Sequence, residues 1–420
     1  MASGLIAACL AWAATAASAV TIVVIGDSTV STYKANQYPW AGWGQELAYY
    51  FRTGSVNVIN HAVGGRSSRS FVVLGQWAST VADLKKGDWL FIQFGHNDRD
   101  AADTTRYTDT ADYKKYLGMY IDSARKLGVH PVLVTSMNMN TWTDTTKRIV
   151  REVFTEGANN YWAAMKHVGA AKNVPVLDLG HQSTLLMDTM GCGYMTKYHF
   201  MGLETGEYPN YPNGNVDGTH FQEEGAEENA RMITEEIARQ SSDSILAPLA
   251  AILAKRYASR VSTNLPSGGV VTHSRVFPPG ATATLKVRVA SGKKFRYWAN
   301  AAGDSLTGAT RYTYVQDSSD HSFTAVFAGA TDIAPPRVGE GPRIVGASAR
   351  RGTLTLRWTR ECPGLGLRVL DMRGRILVED LDLTQAGTQA EIPFPGAGIG
   401  AVMVELLRDG RVQDAMEAMP

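Results

Sequence analysis

A serine and an aspartate–histidine pair are the residues of this chain best suited to chemistry. Ser28 stands in a Gly-Asp-Ser-Thr motif directly after the apolar run 20–25. Far downstream, Asp217 and His220 flank a Gly-Thr pair. A serine hydroxyl is a weak nucleophile, so it needs an imidazole to accept its proton and a carboxylate to orient that imidazole. Together the two segments predict a nucleophilic hydrolase.

Each segment also has a purely structural interpretation. A serine after Gly-Asp is commonly a turn residue, and Asp217 or Thr219 could cap a helix that starts near Gln222. The position of Ser28 after a buried strand favours chemistry, because a sharp strand-to-helix turn exposes the hydroxyl. One turn keeps Asp217 close to His220, so the carboxylate can fix the tautomer of the ring.

Two further polar clusters follow predicted strands. Asn97 lies in the loop 94–98 and can donate its side-chain N–H to a developing oxyanion, or form an ordinary Asx-turn. We expect His96, in the same loop, to be a structural donor. Residues 62–70 contain two adjacent glycines, which would let a backbone N–H approach a substrate or would simply give a flexible turn.

Four side chains are candidates for substrate contacts: Arg66, Arg69, Tyr194 and Tyr198. A guanidinium fork is well shaped for a uronate carboxylate, and pairing of the arginines with a local carboxylate such as Asp98 is the equal alternative. The tyrosines belong to the glycine- and aromatic-rich stretch 191–215. Rings beside a site can stack on sugar faces or can pack the loop down, and we expect a mixture of both.

From residue 20 to about residue 258, predicted strands and helices alternate. The apolar strand candidates are Val20–Ile25, Val56–Asn60, Asp88–Phe94, Val129–Thr135 and Pro175–Leu179. The helix-like segments are Trp40–Phe51, Tyr113–Lys126, Arg148–Val168 and Gln222–Gln240. Nearly continuous apolar strands separated by helices indicate a parallel sheet covered on both faces. Sites in such sheets lie outside the carboxyl ends of the strands, where Ser28 and Asn97 both fall.

The composition changes beyond residue 260. Residues 262–332 are rich in Gly, Thr and Ser, and apolar side chains alternate at 283, 285, 287 and 289, which is typical of half-buried strands. Residues 332–337 contain Pro-Pro and are typical of a linker. The sequence therefore predicts two small all-β domains, at about 260–334 and 338–420, after a catalytic domain at 20–258.

The charge balance and the N-terminal segment limit the classes of protein to which this chain can belong. The 41 basic and 40 acidic residues nearly balance, so the chain has no excess of positive charge that would attract nucleic acid or an anionic membrane. Three cysteines do not make a disulfide framework. Residues 5–17 are apolar and alanine-rich, and Ala-Ser-Ala follows as a cleavage site, so residues 1–19 are predicted to be a signal peptide, although no basic residue precedes them. A membrane anchor is disfavoured, because residues 20–25 are needed as the strand that carries Ser28.

The order of the polar clusters resembles the sequence blocks of the SGNH hydrolases, also called the GDSL family, and among them the rhamnogalacturonan acetylesterases. The matching blocks are residues 26–29, Gly42-Trp43-Gly44, Asn60 with 62–70, residues 94–98 and residues 217–220. The resemblance covers about residues 20–240 and implies a three-layer α/β/α fold with a flavodoxin-like parallel sheet.

The resemblance also implies roles. Ser28 matches the nucleophile, His220 the general base and acid, and Asp217 its partner. No metal or organic cofactor is expected for this chemistry. The implied activity is that of an exported esterase that removes acetyl groups from a plant cell-wall polysaccharide, first of all rhamnogalacturonan or another pectin.

The oxyanion donors implied by the resemblance are the backbone N–H of Ser28, the backbone N–H of Gly65 and the side chain of Asn97. Gly64 and Gly65 are adjacent in this chain, whereas the family pattern has one glycine before Arg-Ser. We assign Gly65 because it directly precedes Arg66.

Two other classes of function stay open. The first is a different hydrolase on the same fold, such as an acetyl xylan esterase or a lipid or thioester hydrolase; a lipase should show an apolar lid, and the loops here are polar, aromatic and glycine-rich. The second is a non-catalytic glycan-binding surface protein, which would not need a triad together with oxyanion donors.

The C-terminal segments carry shorter resemblances. Residues 268–327 resemble β repeats of bacterial surface proteins, and residues 369–375 resemble sorting domains of type IX secretion. They imply a bacterial protein that is secreted or attached to the cell surface, with the secretion machinery as a partner. A plain spacer role is the alternative for each segment.

Overall fold

The computed structural model describes residues 19–145, 149–157 and 159–328, together with the strands between residues 344 and 418. Residues 1–18 of the predicted signal peptide and the predicted linker at 332–337 lie outside the described residues. Within the described part of the chain, no helix is long and apolar enough to cross a membrane.

The chain up to residue 250 alternates strands with helices. Its strands are β1 (Val20–Gly26), β2 (Trp40–Ala41), β3 (Val56–Asn60), β4 (Trp89–Gln93), β5 (His130–Val134), β6 (Trp142–Asp144), β7 (Ile149–Val150), β8 (Val176–Leu177) and β9 (Phe221–Gln222). Its helices are α1 (Trp43–Glu46), α2 (Ser68–Val73), α3 (Gln76–Asp83), α4 (Thr110–Lys126), α5 (Tyr161–Lys172), α6 (Leu179–Tyr194), α7 (Glu223–Arg239) and α8 (Ala247–Ala250). A π-helical turn, Met195–His199, follows α6.

A five-stranded parallel sheet in the order β3-β1-β4-β5-β8 forms the centre of this part. The chain leaves β1 toward β3 on one side and returns to β4 on the other, so the order of strands reverses between β1 and β4. In open α/β sheets the crevice at such a reversal is where ligands bind. The predicted fold class, a parallel sheet between two helical layers, is confirmed.

Both faces of the sheet are buried because successive side chains of a strand point to opposite sides. Ile22 and Val24 belong to a core that includes side chains of α6 and α7. Val23 and Ile25 belong to the core on the other face, with side chains of α4 and α5. Burying each such side chain contributes about 1.5–3 kcal/mol, which explains why the predicted strands read as continuous apolar runs.

Two of the predicted helices are only partly correct. In place of a helix over Arg148–Val168, residues 149–150 pair with β6, and α5 begins at Tyr161. Asn160 sets that start, because its side chain accepts a hydrogen bond from the Ala163 N–H. The predicted helix Trp40–Phe51 is divided into β2, α1 and a 3₁₀ turn.

The chain from 257 to 328, here called the β module, forms two sheets. Its strands are β10 (Tyr257–Thr263), β11 (Gly269–Val271), β12 (Arg275–Phe277), β13 (Thr282–Val289), β14 (Phe295–Ala299), β15 (Ser305–Thr307), β16 (Arg311–Val315) and β17 (His321–Phe327). One sheet has the order β12-β10-β17-β14-β15 and the other β11-β13-β16. Their shared core includes Leu285, Trp298 and Phe323.

The last described residues also form strands in small sheets, as the sequence predicts. They are β18 (Ile344–Arg350), β19 (Thr353–Trp358), β20 (Leu365–Asp371), β21 (Ile376–Asp382), β22 (Gln389–Pro393), β23 (Val402–Arg408) and β24 (Arg411–Ala418). The sheets have the orders β18-β19-β22 and β21-β20-β23-β24. Leu354, Leu356 and Trp358 supply alternating core side chains from β19.

Gly26 ends β1 at a point where no side chain fits. A Cβ atom on Gly26 would lie 2.7 Å from the carbonyl oxygen of Gln93 and 2.6 Å from Cγ2 of Val30. We expect Gly26→Ala to lower the free energy of unfolding by about 1–3 kcal/mol, the usual cost of overpacking a core, as measured by urea denaturation. Gly193→Ala is the matched control, because a Cβ there meets nothing within 4 Å. Equal stability of the two variants would contradict this steric argument.

Candidate active site

Ser28 lies in a tight turn at the carboxyl end of β1. The buried Asp27 fixes this turn, since its Oδ1 accepts hydrogen bonds from the N–H (2.9 Å) and the hydroxyl (2.6 Å) of Thr29. The carbonyl of Asp27 accepts from the N–H groups of Val30 and Ser31. Asp27 and Thr29 are buried while Ser28 is partly exposed. The turn therefore presents the serine hydroxyl at the edge of the sheet.

Of the three residues predicted to form a triad, His220 lies within hydrogen-bond distance of both Ser28 and Asp217. His220 Nε2 is 2.8 Å from Ser28 Oγ, and His220 Nδ1 is 2.6 Å from Asp217 Oδ2. The second carboxylate oxygen of Asp217 accepts from the N–H groups of Thr219 (2.7 Å) and His220 (3.1 Å). The Asp217 carboxylate thus closes its own turn and also orients the imidazole.

These bonds keep Asp217 ionised. Burial raises the pKa of this carboxyl group, but the hydrogen bonds from His220 and Thr219 and the charge of His220 outweigh burial and lower the pKa to about 2. A carboxylate that remains charged can stabilise the imidazolium that forms when His220 takes a proton from Ser28.

The turn that carries the predicted oxyanion donor Gly65 lies beside Ser28. The Gly64–Gly65 turn is closed by a bond from the Arg66 N–H to the Val63 carbonyl, and a Cβ on Gly64 would lie 3.6 Å from the Ser28 Cβ. Gly65 has φ +74°, which favours glycine. In the described part of the chain, the backbone N–H groups of Ser28 and Gly65 donate to no acceptor. Both remain free for a substrate oxygen.

Asn97 has a fixed orientation beside this turn. Its Nδ2 donates to the Arg66 carbonyl (3.0 Å), and its Oδ1 accepts from Arg106 (3.1 Å). These two bonds point the amide N–H₂ toward the Gly65–Arg66 side, and one of its two hydrogens is left for a ligand. Backbone N–H groups and amide side chains are the kinds of donor that stabilise an oxyanion developing on a carbonyl attacked by a serine.

His96 is placed as a structural residue rather than as a second base. Its Nδ1 lies 3.3 Å from Asp27 Oδ2, and its ring packs edge-on against Phe154. Burial raises the pKa of Asp27, but the charge and hydrogen bond of His96, with the bonds from Thr29, outweigh it and lower the pKa. The pair joins the loop after β4 to the turn that carries Ser28.

Neither arginine candidate pairs with Asp98. The buried Asp98 instead accepts from the N–H (3.0 Å) and hydroxyl (2.5 Å) of Ser68; burial raises its pKa to about 7 even though these bonds lower it. Arg69 donates to the carbonyls of Thr104 and Tyr107 and so holds that loop. The Arg66 guanidinium donates to Gln76 and to Gly64, and among the described residues no carboxylate pairs with it.

The structure contradicts stacking of Tyr194 and Tyr198 on a sugar. Tyr198 is 0% exposed and donates to the Val270 carbonyl (2.6 Å). Tyr194 is partly buried, bonds to Glu224, and accepts from the His273 N–H. Both hydroxyls therefore serve the contact with the β module. Of the expected mixture, these two rings show packing rather than stacking, and the sequence could not reveal this because the partner strands lie more than seventy residues later in the chain.

Trp40 and Tyr33 are site residues that the sequence analysis missed. The Trp40 ring packs edge-on against His220, with ring centroids 4.6 Å apart. Tyr33 stacks on Trp40 at 5.1 Å and donates its hydroxyl hydrogen to the Ser28 carbonyl (2.7 Å). No spacing in the sequence links these rings to a histidine so far downstream, so no local signal could have identified them.

Fold and site together define an ester hydrolase, and comparisons with known proteins agree. A model of the GDSL-like lipase/acylhydrolase family matches residues 24–227. The chain is 38% identical over 218 residues to the rhamnogalacturonan acetylesterase RhgT of Bacillus subtilis, covering 52% of this chain and 89% of that protein. It is 34% identical over 219 residues to the probable rhamnogalacturonan acetylesterase YesY of the same bacterium, covering 51% and 91%.

Among solved structures, the crystal structure of protein YxiM from Bacillus subtilis superimposes with a TM-score of 0.45 at 24% identity, covering 53% of this chain and 57% of that one. The chain belongs to the GDSL-like lipase/acylhydrolase family and is a carboxylic ester hydrolase.

The lowered pKa of Asp217 predicts a specific pH dependence of stability. The pKa is about 2 in the folded chain against a reference value of 3.8. The ionised carboxylate therefore stabilises the folded state fully above about pH 5, and this contribution is lost as the pH falls from about 4 toward 2. We expect the difference in free energy of unfolding between the wild-type chain and Asp217→Asn to shrink as the pH falls from about 4 toward 2 in urea titrations. A difference that stays constant down to about pH 2.5 would contradict the lowered pKa.

Proposed function

We propose that this protein is an exported serine acetylesterase that removes O-acetyl groups from a plant cell-wall polysaccharide, with acetylated rhamnogalacturonan as its substrate. The observation that carries the proposal is the 2.8 Å hydrogen bond between Ser28 Oγ and His220 Nε2. Such a bond is what a serine needs in order to attack a carbonyl. The oxyanion donors beside it have no use in a protein that only binds glycans.

The reaction proceeds in two halves. Ser28 Oγ attacks the acetyl carbonyl carbon while His220 Nε2 takes the hydroxyl proton. The tetrahedral intermediate collapses as the bond to the sugar oxygen breaks, and the sugar oxygen takes the proton from His220. An acetyl group remains on Ser28. Water then attacks this ester with His220 as base, and acetate leaves when Ser28 recovers its proton.

The surrounding residues stabilise the charges that develop in both halves of the reaction. The N–H groups of Ser28 and Gly65 and the Asn97 amide hold the negative oxygen of each intermediate. Asp217 stabilises the imidazolium and keeps the ring in the tautomer that presents an unprotonated Nε2 to the serine. Trp40 restricts movement of the imidazole because the two rings pack against each other.

The substrate class is supported by relatives and by one side chain. RhgT and YesY, which this chain covers over most of their length, are named a rhamnogalacturonan acetylesterase and a probable rhamnogalacturonan acetylesterase. Rhamnogalacturonan carries uronate carboxylates, and Arg66, next to Gly65, has no described carboxylate partner. A guanidinium there is suited to bind a uronate beside the acetylated hydroxyl.

Export is supported by the sequence at residues 1–19, an apolar alanine-rich segment that ends in a small-residue cleavage site. For the segment after residue 338, the resemblance to sorting domains supports secretion or attachment to a bacterial surface. The test is fractionation of cells that express the full chain, followed by N-terminal sequencing of the exported form.

Ser28→Ala and Asn97→Ala test the chemistry. We expect Ser28→Ala to abolish release of acetate from a chromogenic acetate ester while the protein stays folded. Asn97→Ala should lower kcat by about 10²–10³ with a smaller change in KM, which is the usual cost of one oxyanion donor. Wild-type turnover in Ser28→Ala would reject the nucleophile, and a change in KM alone in Asn97→Ala would reject the oxyanion role.

A panel of acetylated polysaccharides tests the substrate. We expect faster acetate release from acetylated rhamnogalacturonan than from acetylated homogalacturonan or xylan. Arg66→Met should raise KM about tenfold on rhamnogalacturonan, because one charge-assisted contact is worth on the order of 1.4 kcal/mol. It should leave KM unchanged on an acetylated xylan without uronate side groups, which serves as the neutral control. Preference for xylan together with an indifferent Arg66→Met would establish an acetyl xylan esterase instead.

A further inference from the structure

The β module meets the esterase domain, residues 20–250, through four cationic side chains: Arg275, Lys286, Arg288 and Arg311. Arg275 pairs with Glu227 of α7 at 2.7 Å, and both groups are buried. Arg288 donates to Glu207 at 2.5 Å and to the Gly202 carbonyl at 3.1 Å. The module is therefore joined to the esterase domain by specific charged contacts, and not by a flexible tether alone.

Within the β module, the positions of two of these cations are energetically unfavourable. Lys286 of β13 and Arg311 of β16 are direct antiparallel partners, and like charges opposite one another destabilise a strand pair. Lys286 is also only 6% exposed, which is rare for a lysine without a partner. Both side chains have their hydrogen-bond partners in the esterase domain. The contact between the two parts therefore offsets the repulsion and the burial.

Lys286 reaches the segment that carries the histidine. Its Nζ donates to Gln222 Oε1 at 3.2 Å. Gln222 is fully buried, and its Nε2 donates to the carbonyls of Lys197 (2.8 Å) and Phe200 (2.7 Å). Its backbone pairs with Trp40 in the β2–β9 ladder. Gln222 thus joins the module, the π-helical turn and β2 at a point two residues after His220.

Arg311 holds the other strand of the same ladder. It donates to the Tyr38 hydroxyl, and Tyr38 donates in turn to Glu223 Oε2 at 2.8 Å. The N–H of Glu223 donates to the Pro39 carbonyl at 2.8 Å. The segment that leads into Trp40 is therefore fixed from the module side and from the start of α7.

This β2–β9 ladder is in contact with the imidazole of His220. The Trp40 ring lies 4.6 Å from the His220 ring, centroid to centroid. The His220 carbonyl accepts from the Met201 N–H at 3.0 Å, and the next residue, Gly202, is the one that Arg288 contacts. Three module cations thus hold the chain on both sides of His220.

We propose that Lys286 and Arg311 are positioning residues of the active site. They hold the β2–β9 ladder so that Trp40 and His220 keep the imidazole within hydrogen-bond distance of Ser28. The proposal rests on the function proposed above. Displacement of a catalytic group by about 1 Å can cost on the order of 10² in rate, so small movements of the ladder should be visible in turnover.

The experiment uses the full chain with Lys286→Met and Arg311→Met. Arg260→Met is the matched control, because Arg260 pairs with Asp320 inside the module at 3.1 Å. We expect kcat on a small chromogenic acetate to fall about 10-fold to 100-fold in both test variants, with KM within about threefold and the control unchanged. Lys286→Arg, which restores a donor and a charge, should recover most of the turnover. The low-field proton resonance of the His220–Asp217 hydrogen bond should shift or broaden in the test variants.

The outcomes separate the possible roles. Unchanged kcat and an unchanged proton resonance in folded Arg311→Met would overturn the proposal; Arg311 has a side chain 36% exposed, so this variant carries less risk of misfolding than Lys286→Met. A loss seen on polysaccharide but not on the small ester would also overturn it, since the module would then bind substrate. Full activity of Ser28→Ala would instead reject the proposed function. The proton resonance would still show whether Lys286 and Arg311 position His220.

Discussion

The hydrogen bond between Ser28 and His220 is the constraint on which the rest of the structure depends. It joins residues 192 positions apart, so neither local sequence nor any single element can form it. The parallel sheet supplies one side, because β1 ends in a buried turn that allows the serine little freedom. The other side has no such support from the sheet. His220 lies in an irregular segment, and its position depends on β2, β9 and the chain that packs around them.

Charged side chains around the site do more positioning than chemistry. Asp27 and His96 join two loops, Asp98 holds the start of α2 through Ser68, and Asp217 both closes a turn and orients a ring. Burial raises the pKa of Glu46 at the joint with the module to about 8. Buried carboxylates are costly, and Asp27, Asp98 and Asp217 each accept backbone N–H groups that fix a turn or a helix start at the site.

The sequence was sufficient for the sheet and for the reacting side chains. The strands were recognisable because a sheet buried on both faces requires apolar runs, and Asp217 could be paired with His220 because one turn joins them. The predicted helix over Arg148–Val168 was only partly correct. The segment has the apolar content of a helix, but the helix begins only after the Asn160 cap. Tyr194 and Tyr198 were misassigned, and Trp40 was missed, because their partners are set by tertiary contacts with distant segments. The roles of Lys286 and Arg311 depend on a joint between two parts of the chain, which no periodicity reveals.

The helix α7 extends past the point where the family match ends. The match stops at residue 227, inside the helix Glu223–Arg239, and Glu223 and Glu227 of its first turns pair with Arg311 and Arg275 of the β module. A fragment trimmed to the part shared with its relatives would leave Glu227 without Arg275 and Tyr198 without its strand partners. A version shortened to residue 227 would therefore expose these side chains to water, whereas a version that ends after β17 keeps their partners.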